Sequence, residues 1–442
     1  MRLTSPPLSY IPLLPILSGV VAGVLFGRYV STDFSLWAGL MAMAGIGAVA
    51  MRRSVVAEVL LSMALGCVAV SMSVPREFTA LPDRKCVMEG VVTEVSLNGD
   101  RQSAEVSVDD RYGDFKARIT YPVFIPRLEV GDRIRFSGTY SLPRRPTDLP
   151  LEDDMAEYYF REGISLLCYV PQNCFEVTGR SGNPVLSLRR MRSGIVDRIY
   201  SSGLNEPTAI FLVAVLTGDT SALTPALREN YSAAGVAHIL ALSGAHVAII
   251  AVAVSVLFFP LIFIGRRKLR WWLTIAVLWG YAVFTGMSPA VCRAVIMASA
   301  VLLALIFDRP RSSLNALCLA ALLILLFSPM SLFNAGFQLS FAATLCIILF
   351  TPRFMPQSAR KTYRYRAWGV VAVTLAATLG TVPLVAWHFH SIPLFFLPAN
   401  IVAVALMPVM VAGGLLLTVL LSLGVAAGWL IGTLDFVYGI FD

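Results

Sequence analysis

Residues 236–270 read VAHILALSGAHVAIIAVAVSVLFFPLIFIGRRKLR, and this stretch decides the class of the fold. From Val236 to Ile264 there is no Asp, Glu, Lys or Arg. The run exceeds the roughly 20 apolar residues that cross a bilayer as a helix. It ends in Arg266, Arg267, Lys268 and Arg270, the kind of basic cluster that stays cytoplasmic. Further apolar runs lie at 271–286, 290–307, 313–328, 337–351, 367–388, 394–420 and 423–441. A run at 208–217 is too short to span and reads as a re-entrant or partly buried helix.

The loops give an orientation. Those at 266–270, 309–311 and 353–366 carry eleven Lys or Arg, whereas those at 287–289, 329–336 and 389–393 carry none. The positive-inside rule sets the first group in the cytoplasm and residues 218–236 outside. At the other end of the chain, apolar segments at 11–30, 34–51 and 55–74 read as three more spans, with Arg52-Arg53 in a cytoplasmic turn. The first is too long for a secretory signal and reads as a retained helix. Gly19, Gly23 and Gly27 line one face of it, and Gly424, Gly428 and Gly432 recur near the end; both series predict close helix packing.

Composition agrees with this reading. Hydrophobic residues make up 57% of the 442 and charged residues 14%, and the mean hydropathy is +0.73. Soluble domains carry about 25% charged residues. Residues 76–180 hold 14 basic and 18 acidic residues, which leaves 21 and 9 elsewhere. The pI near 9.2 therefore belongs to the membrane part and is not in itself a nucleic-acid signal.

Between about 84 and 178 the apolar period changes to two, which predicts strands. Phe115, Ala117, Ile119 and Tyr121 alternate with Lys116, Arg118 and Thr120; Gly131-Asp132 turns the chain into Arg133-Ile134-Arg135-Phe136. Five short strands, with a helix at 152–162 before the last pair, suggest a small barrel of OB type. If the strands at 115–121 and 132–140 are neighbours, Lys116, Arg118, Arg133 and Arg135 share one face and form a single-strand DNA contact. The alternative is a solvated face balanced by Asp109, Asp110 and Asp114. Cys168 and Cys174 flank a turn at Pro171 and either pair as a disulfide, with Cys86 free, or remain thiols. Residues 185–202 form a basic amphipathic helix suited to a membrane surface.

Four stretches carry a family resemblance. Leu216-Thr217-Gly218-Asp219, Leu227-Arg228 and Ala234 to Val247, including His238 and Ser243-Gly244-Ala245-His246, come first. Gly286-Met287-Ser288-Pro289 with Arg293-Ala294, then Asn334 to Phe341 with Gln338, follow in order; Leu128 to Asp132 with the run from Pro146 to Ile164 lies in the β region. The chain resembles the ComEC family of competence proteins, with Ala245 where Leu is commoner. The resemblance implies a polytopic α-helical membrane protein with an inserted extracytoplasmic small β-barrel, OB-like domain. N-terminal transmembrane helices would occupy 1–75, the β-domain 76–182, a surface helix 183–205 and a channel domain 206–442. It implies single-stranded DNA uptake across the bacterial inner membrane during natural transformation, not enzymatic activity. Expected partners are single-stranded DNA, the lipid bilayer, a periplasmic DNA receptor, a cytoplasmic DNA motor, a separate nuclease domain and a second copy of the chain.

Many members continue into a metallo-β-lactamase-like nuclease. The four histidines here, His238, His246, His388 and His390, do not form its HxHxDH motif, so no metal site or cofactor is expected and this chain is either a fragment or naturally short. The resemblance points to Asp219, Arg228, His238, Ser243, Gly244, His246, Arg293 and Gln338 as lining a translocation path. The residues themselves leave alternatives open. His246 reads as an imidazole bonded to a neighbouring helix, as path lining, or as half of a Ser243–His246 catalytic pair in an intramembrane hydrolase. Arg293 either snorkels to the outer interface or contacts phosphate. Asp219 and Arg228 either pair with each other or line the path, and Gln338 either bonds between helices or lines it. A small-solute transporter is the remaining rival.

Overall fold

The computed structural model describes residues 12–29, 37, 55–73, 86–98, 101–110, 113–122, 128–143, 154–171, 174–224, 227, 229–231, 234–240, 242–309, 312–355, 363–390, 396–425 and 427–441. Two compact units emerge: Val70–Gly194, and Met1–Ala69 together with Ile195–Asp442. The expected segment at 34–51 lies outside the described residues apart from Trp37.

The period-two stretch forms β1 (Met88–Asn98), β2 (Arg101–Asp110), β3 (Gly113–Pro122), β4 (Asp132–Phe136), β5 (Thr139–Ser141), β6 (Ile164–Tyr169) and β7 (Phe175–Arg180), with α1 (Leu13–Tyr29) and α2 (Val55–Ser73) preceding them and α3 (Asp154–Glu162) between β5 and β6. Their order is β5-β6-β3-β2-β1-β4-β7. β1 pairs with both β2 and β4, and β3 pairs with β2 and, in parallel, with β6. Only Ser137 and Gly138 separate β4 from β5, which pairs β6. The strand order thus returns on itself through this short link, β4 pairing β1 and β5 pairing β6. A side chain has no room at Gly138, where a Cβ would lie 2.2 Å from the Tyr169 carbonyl oxygen. Inside sit Val106, Ala117, Ile134, Phe136 and Leu166, all essentially unexposed. The alternation thus gave the strands and their buried faces, but seven strands form among the described residues, against five expected.

Two expectations fail on this topology. β3 and β4 are separated by β2 and β1, so Lys116 and Arg118 do not share a strand pair with Arg133 and Arg135. Lys116 donates to the Glu162 carbonyl, Arg118 bonds Ser103 and lies over Tyr158 and Tyr159, and Arg135 pairs with Glu89. The neighbouring strands on which the four-cation face depends are therefore not formed. Nor is there a hairpin across Pro171: β6 pairs with β3 and β5, whereas β7 pairs with β4. Cys168 and Cys174 are free thiols, and burial pushes the Cys168 thiol up to about 12.

Helix α4 (Pro184–Tyr200) is the expected basic helix, but Arg189 and Arg190 donate to the Thr93 and Val130 carbonyls. Two of its arginines are thus spent on protein backbone.

In the helical unit, α1 (Leu13–Tyr29) crosses α2 (Val55–Ser73) along a glycine seam. A Cβ on Gly23 would sit 1.9 Å from the Met63 carbonyl oxygen, and one on Gly66 2.5 Å from that of Val20. Cys67 Sγ donates to the Gly23 carbonyl at 3.1 Å. The second glycine series behaves differently: nothing lies within 4 Å of a Cβ on Gly424, Gly428 or Gly432, so the expected packing there is not made among the described residues.

Helix α5 (Glu206–Thr217) is buried on all sides from Phe211 to Thr217 and forms the centre of the unit's core. Gly218 ends it at φ 74°, and Tyr281 donates to the Leu216 carbonyl. The single apolar run at 236–264 is broken into α6 (Ala237–Leu240), α7 (Gly244–Leu257) and a 3₁₀ turn, Phe259–Ile262. There follow α8 (Arg267–Phe284), α9 (Pro289–Ile306), α10 (Ser313–Phe327), α11 (Ala335–Phe354), α12 (Tyr363–Phe389), α13 (Phe396–Ser422) and α14 (Gly428–Phe441). Among the described helices, α9, α11, α12 and α13 are long and apolar enough to cross a membrane.

Gly23→Ala should lower the thermal stability of the detergent-solubilised chain by about 1–3 kcal/mol through overpacking, whereas Gly432→Ala should leave it nearly unchanged. Equal effects would refute the seam. A second outcome concerns pH. Burial first, and the Glu94 charge second, raise the Glu105 carboxyl above its ordinary value. An acid with a raised folded pKa supports folding below its unfolded pKa and loses that support as pH rises through the folded value. Glu105→Gln should therefore stabilise the β unit at pH 7 and flatten the decline above the ordinary carboxylate range; melts that stay parallel to wild type across that range would exclude it.

Candidate functional site

The break before α7 sets a helix start within an apolar run, with Ser243 and Gly244 half-buried, Ala245 exposed and His246 buried. A helix start has four backbone N–H groups with no partner in the helix. Ser243, at the N-cap with extended backbone (φ −113°, ψ 167°), and His246, at the third helical position, satisfy two of them reciprocally. The Ser243 side chain accepts from the His246 N–H, and the His246 ring accepts at Nδ1 from the Ser243 N–H at 2.9 Å. This is a capping box in which His replaces the usual Glu or Gln. Ser243 Oγ also lies 2.9 Å from Nδ1.

The bond fixes the tautomer. Nδ1 accepts a backbone N–H, so a neutral ring carries its proton on Nε2. Nε2 is buried without a partner, and His246 is 1% exposed. The geometry favours the bonded-imidazole reading of His246, although the partner is its own helix start and not a neighbouring helix.

Arg293 lies on α9 and is only 7% exposed, so it does not snorkel. Its Nη1 donates to the Ser340 carbonyl at 3.0 Å and to Thr344 Oγ1, both on α11. The guanidinium carbon lies 5.8 Å from the Phe341 ring centroid, and Nε is buried with no partner. Nη2 points toward α7: a Cβ on Gly244 would be 3.2 Å from it. Ser243, Gly244, His246 and Arg293, from two separate motifs, thus meet at one helix start.

The other candidates fall elsewhere. Gln338 Nε2 donates to the Leu332 carbonyl and its Oε1 bonds His388 Nε2 at 2.8 Å, which ties α11 to α12. Asp219 accepts the Ser221 N–H in the turn after α5. His238 is exposed on α6. Arg228 lies outside the described residues, so its pairing with Asp219 does, too. Ser340, Thr344 and His388 were missed as site residues. Ser340 and Thr344 are one helical turn apart inside an apolar run, a spacing that faces both to the same side.

Comparison with known proteins decides the family. Residues 215–441 match the family described as Competence protein, and these include every residue of the α7–α9–α11 cluster. The chain belongs to that family. It is 31% identical over 347 residues to ComE operon protein 3 of Bacillus subtilis (strain 168), covering 74% of this chain and 42% of that protein. It is 28% identical over 223 residues to Competence protein ComA of Neisseria gonorrhoeae, covering 49% of this chain and 30% of that protein. The chain thus spans less than half the length of these competence relatives. No solved structure matches it.

The capping role of His246 separates from any role of Nε2 by substitution. His246→Ala should cost about 1 kcal/mol of stability, the usual worth of a helix cap, whereas His246→Gln keeps an acceptor at that position and should melt close to wild type. A glutamine variant as destabilised as the alanine one would refute the capping box.

Proposed function

We propose that this competence-family chain forms the membrane path by which single-stranded DNA enters the cell during natural transformation. The observation that carries this reading is the Arg293 guanidinium, which has no counter-ion among the described residues and is buried in an apolar helical unit beside the Ser243–His246 helix start, within the stretch that matches the family. A polyanion crossing a bilayer needs polar and cationic groups on its path, with lipid kept away. Burying such a group without that use is costly.

On this reading the chain is a multi-pass inner-membrane protein. The β unit stands outside, and its sheet, whose strand order returns on itself, is a variant OB-like barrel whose extra strand β7 extends β4. The basic loops at 266–270, 309–311 and 353–366 face the cytoplasm. The same reading implies a periplasmic DNA receptor, a cytoplasmic DNA motor, a separate nuclease domain and a second copy of the chain as partners. The hydrolase alternative loses ground because Ser243 and His246 are engaged in closing the start of α7, and no carboxylate is bonded to His246 among the described residues.

Complementing a deletion strain with this chain should restore transformation, and an alkaline phosphatase fusion at Lys268 should be inactive. Complementation that fails with the chain present in the membrane, or an active fusion at that position, would sink the respective half of the proposal.

A further inference from the structure

The start of α7 leaves a second pair of backbone donors unaccounted for. Of its four unsatisfied N–H groups the capping box takes those of Ser243 and His246. Those of Gly244 and Ala245 have no partner in the helix. α7 is 14 residues long, so its dipole adds positive potential at this end.

Arg293 supplies an independent observation at the same place. Nη1 is spent on Ser340 and Thr344. Nε is unpartnered, and Nη2 faces the Gly244 position. Nε and Nη2 lie on one edge of the planar guanidinium, the edge that grips two oxygens of a carboxylate or phosphate. Among the described residues no carboxylate pairs with Arg293, and their ion pairs lie elsewhere. A nearly buried cation therefore presents a free fork toward a helix N-terminus. Gly244 keeps the space between them open, because any Cβ would enter it at 3.2 Å from Nη2. The unpartnered Nε2–H of His246 is a further buried donor on the same first turn.

We infer that Gly244, Ala245 and Arg293 form a binding site for one phosphate-type oxyanion. Two backbone N–H groups and the guanidinium fork would hold it, with Gly244 as the residue that makes room. Anion capture at a helix start backed by Arg is favourable on both charge and hydrogen-bonding grounds. Under the proposed function the oxyanion is a phosphodiester of the passing strand, and in this respect the inference rests on that reading. A free phosphate or a lipid headgroup presents the same chemistry.

The test uses the full chain in nanodiscs of zwitterionic lipid, which removes anionic headgroups. The probes are an oligothymidylate, the same oligomer with an uncharged methylphosphonate backbone, and inorganic phosphate. The oligothymidylate should bind, the uncharged oligomer should not, and phosphate should compete. Gly244→Ala and Arg293→Gln should each weaken oligothymidylate binding by about ten- to a hundredfold, the loss expected for charge-assisted hydrogen bonds. Arg293→Lys keeps the charge but not the fork and should not rescue it. If a variant folds poorly, the wild-type chain still decides: phosphate should raise its melting temperature, and chloride at equal ionic strength should not. Phosphate binding without oligomer binding keeps the anion site and removes the strand as its ligand. Unchanged oligomer and phosphate binding in Gly244→Ala and Arg293→Gln would overturn the site. A deletion strain that transforms normally would overturn the DNA-uptake reading alone, because the phosphate titration judges the site without it.

Discussion

A helix that begins inside an apolar unit must find partners for its first N–H groups, since neither water nor lipid will supply them. The start of α7 meets part of that demand itself, with His246 buried, Ser243 and Gly244 half-buried and Ala245 exposed. Ser243 and His246 close two donors on each other. That bond determines which imidazole nitrogen carries the proton and leaves Nε2 as a donor. Of the two residues whose donors remain, Gly244 and Ala245, the first lies beside Arg293: a Cβ on Gly244 would be 3.2 Å from Nη2.

The Arg293 side chain is held by the same kind of constraint. Its Nη1 takes the Ser340 carbonyl and the Thr344 hydroxyl of α11, which fixes the plane of the group and leaves the opposite edge free. Loss of side-chain freedom is met once, in folding, and not at each encounter with a ligand. α5 plays a different part. Buried from Phe211 to Thr217, it forms the centre of the helical unit's core, and its exposed end groups are met by Gly218 and Tyr281. The two short elements, α5 and the α6–α7 break, are those that a simple count of spans would misplace.

Much of this was legible in the sequence, for physical reasons that also mark the limits. Apolar runs gave α8 to α14 to within about five residues at each end, because lipid-length hydrophobic segments have few alternatives. Alternation gave the faces of β3 and β4, because each residue's side is fixed by the pleat. Strand order was not legible: Lys116 and Arg133 look like neighbours only if β3 and β4 pair, and pairing is a non-local choice. The same gap misled the reading of Cys168 and Cys174. The break at 241–243 hid within 29 apolar residues because nothing but Ser243 and Gly244 marks it. Ser243, His246 and Arg293 could be named as site candidates, but their convergence depends on how α7, α9 and α11 pack.

The central claim is that a DNA strand passes the start of α7. A photo-crosslinking amino acid placed at Ala245, with a second at Val252 on the 64% exposed face of the same helix, measures this during uptake of labelled DNA. The account predicts DNA adducts at position 245 and none at 252. Adducts at 252 with none at 245 would contradict it.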